Sequence, residues 1–128
     1  MGQVDELKAL KHKDCDLNDW DKVSPSLRVL GYELVDYCKV HSLPITITSI
    51  IRPMIPGISK TDIHGKGRAF DVSVRGWTNA QAIECEEYLN ENFSESLGAI
   101  SIETGRPRAC LYHGGTGLHL HIQCRPSN

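Results

Sequence analysis

Apolar positions recur at helical spacing soon after the N-terminal fifth of the chain. Leu27, Leu30, Leu34 and Cys38 follow one another three or four residues apart, which predicts a helix over 25–41. Ser24 is suited to cap it and Pro25 to open its first turn. Gly31 is a weak point that such a helix tolerates. The pattern then changes period. Ile45 to Ile50 alternates β-branched apolar and polar residues, as a strand does. Ala69 to Val74 is a second strand, with Phe70, Val72 and Val74 on one face and Ala69, Asp71 and Ser73 on the other. Between them lies a long loop with five Pro and Gly residues: Pro53, Pro56, Gly57, Gly65 and Gly67. Long ordered loops in small domains are often functional.

Thr78 and Gln81 form a capping-box pair, so a second helix is expected from there to about Asn92. Ala82, Cys85, Leu89 and Phe93 make its buried stripe. Three short strands are expected at 99–103, 109–112 and 118–123. Strands and helices do not alternate as in a parallel α/β fold. The order predicts a small single α+β domain of 1–128, with a mostly antiparallel sheet and flanking helices. Residues 1–22 are polar and are expected to form a short helix or a peripheral arm.

Composition narrows the function. At 128 residues the chain fits one domain with its own core. Fourteen basic residues nearly balance sixteen acidic ones, and no basic stripe predicts a nucleic-acid partner. No apolar run reaches membrane-spanning length. The start MGQVDELKAL lacks a signal-peptide apolar segment, so cytoplasmic synthesis is expected. Five scattered cysteines with no CxxC pair predict free thiols rather than a disulfide framework or thiolate zinc knot.

The candidate chemistry falls in two clusters. His119 and His121 lie in a strand segment, and a period of two turns both imidazoles to one face. A plain polar strand face is the alternative. His64, in the glycine-rich loop, precedes Asp71, which sits beside the small residues Ala69 and Ser73. Two nitrogens and one oxygen are a normal catalytic zinc set with a position left open for water; a capped turn with a surface salt bridge is the alternative.

Together the clusters resemble a family pattern. His64, Gly67, Ala69 and Asp71 fit the SxHxxGxAxD motif of the peptidase M15 family, the D-Ala-D-Ala carboxypeptidase and murein endopeptidase group related in fold to the hedgehog domain. His119 and His121 resemble its terminal HxH, and Ser49 to Arg52 its SxxR segment. The resemblance implies a Zn²⁺ ion on the sheet face, held by His64, Asp71 and His121. It also implies catalytic roles for His119 and Arg52, and bacterial peptidoglycan peptides as substrate. A monomeric phage endolysin, acting on the cell wall after release, fits this pattern. The chain departs from the motif at Asp62, where the family has Ser, and it lacks the family's Glu near the last ligand. The base role therefore falls to His119, with Glu103 a weaker choice. His113 is expected in an exposed loop, and His12 and His41 on the surface.

Two rival readings remain. His119 to Gln123 also resembles the histidine-triad motif of nucleotide hydrolases and transferases, with His121 as nucleophile. That reading leaves His64 and Asp71 without a purpose. A non-catalytic zinc module of the same fold is the other.

Overall fold

The computed structural model describes residues 3–51, 67–100, 105–113 and 118–125. They form a small mixed domain with three α-helices and a mostly antiparallel sheet. The elements in chain order are α1 (Gln3–Lys8), β1 (Lys11–His12), a 3₁₀ turn (Leu17–Asp21), α2 (Pro25–Val40), β2 (Thr46–Ser49), β3 (Ala69–Ser73), α3 (Asn79–Leu97), β4 (Ala99–Ile100), β5 (Pro107–Arg108), β6 (Cys110–His113) and β7 (His119–Gln123). The main sheet has the order β1-β2-β3-β7-β6, parallel only between β1 and β2. β4 and β5 pair separately.

The sheet is two-faced because its strands alternate. Ile47, Phe70, Val72, Leu120 and Ile122 are fully or almost fully buried, in one core cluster with Leu27, Leu30 and Leu34 of α2 and Cys85 and Leu89 of α3. Burying each large aliphatic side chain contributes roughly 1.5–3 kcal/mol. Asp71, Ser73, His119 and His121 alternate with those residues and are only partly buried. In β2 the register shifts between Ile47 and Ser49. This irregularity lets Ile47 and Ile50, three residues apart, both enter the core.

Both long helices follow their sequence signals, with differences at the ends. At α3, the Thr78 hydroxyl accepts from Gln81 N at 3.1 Å, and Gln81 Oε1 accepts from Thr78 N at 2.8 Å. The helix continues to Leu97, past the expected end near Asn92, because Phe93 and Leu97 still pack on the core. Ser24 occupies the cap position of α2 without a side-chain cap bond; its hydroxyl hydrogen-bonds the Cys124 thiol instead. Gly31 is a contact point, since a Cβ there would meet Leu7 Cδ2 at 3.0 Å.

Residues 3–22 are built into the molecule. Leu7 and Trp20 are fully buried, and Trp20 meets Phe70 edge-on with ring centroids 5.1 Å apart. His12, expected on the surface, is half-buried. Its Nε2 accepts from Trp20 Nε1 at 2.9 Å, and its Nδ1 lies 2.8 Å from the Leu10 carbonyl. All five cysteines are unpaired thiols, and four are buried.

Candidate metal centre

β3 enters the site through a sharp turn. Gly67 has φ +68°, and a Cβ there would lie 3.1 Å from the Lys22 carbonyl oxygen and 3.2 Å from Val23 Cα. A side chain at this position would be strained in conformation and in space. The turn is held by Ser24 N donating to the Gly67 carbonyl at 2.9 Å.

Register does the rest. β3 and β7 run antiparallel with Asp71 directly across from His121 and Ser73 across from His119. Facing residues of an antiparallel pair share a face. Asp71 Oδ1 lies 3.0 Å from His121 Nδ1. The side chains keep only 14% and 16% of their exposure, so the pair is largely removed from water. On the other flank, β6 sets Leu111 opposite His121 and His113 opposite His119. The His113 ring centroid is 4.9 Å from that of His119 and 6.2 Å from that of His121. His113 thus ends a strand beside the candidate site, rather than lying in a loop.

Gln123 fixes the chemistry of His121. Its Nε2 donates to the Arg108 carbonyl at 3.0 Å. A carbonyl oxygen only accepts, so the orientation of the amide is set. Gln123 Oε1 must then be the atom 3.1 Å from His121 Nε2. An amide oxygen also only accepts, as does the Asp71 carboxylate on the other ring nitrogen, so each side of the ring faces an acceptor. A neutral imidazole has no second proton. Whichever nitrogen holds its one proton, the lone pair of the other faces an acceptor oxygen in a poorly solvated place, which is costly. A cation on the line between Nδ1 and Oδ1 removes the conflict. A metal ion held by Nδ1 and Oδ1 is one such cation.

The donor set suits zinc. Imidazole nitrogen and carboxylate oxygen are ordinary zinc ligands, and a carbonyl acceptor on the far ring nitrogen is the usual support for a ligating histidine. Zinc bonds of about 2.0–2.2 Å in a tetrahedral set hold neighbouring donors about 3.3–3.6 Å apart. The observed 3.0 Å is a hydrogen-bond distance that needs only a small opening to reach that span.

His64, Arg52 and Glu103 lie outside the described residues. Among the described residues no three candidate ligands gather at one point; Asp71 and His121 are the part of the expected set that the structure brings together. His119 shares their face and is half-buried. Cys124, the thiol nearest in sequence, lies in the core cluster on the opposite face, where burial raises its pKa. Gln123 entered the sequence reading only as the end of the histidine-triad pattern, and its contact with His121 was missed. Its only sequence signal was parity with His119 and His121 on β7. No family model, no curated protein and no solved structure matches the chain.

Proposed function

We propose that this chain is a zinc-dependent peptidase of the M15 type that hydrolyses peptide bonds in bacterial peptidoglycan stem peptides. The observation that carries the reading is the Asp71–His121 pair, whose histidine has the Gln123 amide oxygen on its other ring nitrogen, so that acceptors flank the ring on both sides. His64, Asp71 and His121 would hold the ion. Zinc bound there would supply Lewis-acid polarisation of a peptide carbonyl and activation of water.

The other residues divide the remaining work. Asp71 and His121 hold their donor atoms on adjacent rigid strands, so the site does not depend on a loop for two of its three ligands. His119 sits across from Ser73 on the same face and is the group to accept a proton from water and return it to the leaving amine. The ring of His113 beside it narrows the positions open to that imidazole. Arg52 would pair with a substrate carboxylate or with the oxyanion. No helix of the described residues is long and apolar enough to cross a membrane, and the cell wall would be reached after release from the cell.

The histidine-triad alternative fares less well. A nucleophilic His121 needs a ring nitrogen open to phosphorus, and both of its nitrogens already face protein oxygens. Digestion of purified muropeptides by the zinc-loaded protein, read by mass spectrometry, tests the proposal. New fragments that depend on zinc and vanish in His121→Ala are expected. Intact muropeptides in the presence of a fully loaded site would overturn the enzyme reading and leave a binding module.

A further inference from the structure

The polar face carries a second feature that the proposed zinc chemistry does not use. One cross-strand row runs over all five strands: Lys11 pairs with Thr46, Thr46 with Ser73, Ser73 with His119, and His119 with His113. Facing residues share a face, so the row reads ammonium, hydroxyl, hydroxyl, imidazole, imidazole. From Lys11 to His119 the row lines an open groove of about 680 Å³, which Asp71, Lys13 and Arg75 line as well. Among the described residues none of these three cations forms a salt bridge. Asp14 also lines the groove. With Asp71 committed to His121, three cations stand against one carboxylate.

Strand spacing converts the row into a ruler. Neighbouring strands lie about 4.8 Å apart, so three spacings from β1 to β7 make about 14 Å. An extended peptide advances about 3.3 Å per residue, and the flexible lysine stem shortens the span it must cover. A carboxylate held by Lys11 or Lys13 is therefore about three residues from a bond cut beside His119. The carboxylate of a carboxypeptidase substrate lies within one residue of the cut, too near for this end of the groove.

The geometry points to an anionic-peptide subsite: Lys11 and Lys13 bind a free carboxylate about three residues from the scissile bond, which makes the proposed peptidase act on internal bonds of acidic peptides. This inference rests on the peptidase reading for the bond cleaved, but the subsite can be tested without cleavage. Lys11 and Lys13 are specificity residues. Their ammonium groups touch the substrate far from the reacting atoms, and Thr46 and Ser73 offer hydroxyls to the peptide backbone between.

The test uses blocked heptapeptides, each with a single glutamate walked along the chain, and their glutamine counterparts. Binding to the 128-residue chain with zinc present is followed by NMR titration, and cleavage by mass spectrometry. The glutamate peptides should bind about fivefold tighter than the glutamine ones, a ratio expected for an exposed ion pair of about 1 kcal/mol. The ratio should peak with glutamate about three residues from the cut, fall in high salt and collapse towards one in the Lys11→Gln/Lys13→Gln double variant. Equal binding of both series, no binding of either, or an unchanged ratio in the double variant would overturn the subsite. Discrimination without cleavage would leave the subsite standing, and the muropeptide digestion then decides the peptidase reading by itself. Cleavage without discrimination would do the reverse.

Discussion

Two histidines on two strands of one sheet, His12 on β1 and His121 on β7, have opposite proton bookkeeping. His12 accepts from the Trp20 indole on one nitrogen and donates to the Leu10 carbonyl with the other. A neutral imidazole satisfies both contacts, and the arrangement is closed. His121 faces the Gln123 amide oxygen on one side and the Asp71 carboxylate on the other. Both neighbours accept, and a neutral imidazole serves only one of them. Both residues are partly buried, so burial does not separate the two. The balance of donors and acceptors around the ring does.

The site half of this contrast should break most severely at His119. His119→Ala is expected to retain zinc and lose about 10²–10⁴ in kcat, the usual range for a general acid–base group. Metal analysis and muropeptide turnover on one sample separate the two effects, and zinc lost along with activity would make His119 a ligand. Gln123→Leu removes the acceptor beside His121 Nε2. Zinc affinity should fall about tenfold to a hundredfold with folding retained, as competition with a chelator will show. The mirror experiment is His12→Leu, which strands the Trp20 indole donor in the core. It should cost about 1–3 kcal/mol in urea denaturation and leave zinc affinity untouched.

A further expected effect concerns the side of the sheet away from the site. Burial pushes the Cys38 thiol up to about 12 from an ordinary 9.0, and burial raises Cys85 and Cys110 as well. These thiols keep their protons in the folded chain when the unfolded chain has lost them. Their contribution to stability is complete below pH 9 and is lost as pH rises through the folded values. Denaturation midpoints should therefore decline steadily above pH 9 under reducing conditions. A flat profile there would show that the thiols titrate alike in both states.

The parts that were legible in sequence are those governed by local period. Asp71, His119 and His121 share a face because a strand alternates, and the core positions of α2 and α3 follow from helical spacing. What escaped depends on contacts between segments far apart in sequence. The role of Gln123 is set by a carbonyl at Arg108, fifteen residues earlier and on another strand. His12 looked like a surface residue because its partner, Trp20, is buried by Phe70 from the far side. His113 looked like a loop residue because the strand expected at 109–112 runs one residue further, where His113 pairs with His119 of β7. The short pairing of β5 with β4 begins at Pro107, a residue that weakens any strand reading.

The central claim is that the cation between His121 and Asp71 is a metal ion, and the protonation of His121 reports it most directly. NMR of the isotope-labelled ring nitrogens, before and after one equivalent of zinc, distinguishes the two ring positions. The account predicts that Nε2 keeps its proton throughout, while Nδ1 exchanges a proton for the metal at a stoichiometry of one, and that Asp71→Ala weakens this response. A His121 ring whose Nδ1 signal is unchanged by zinc would contradict the account and leave the pair as an imidazolium–carboxylate bridge within the sheet.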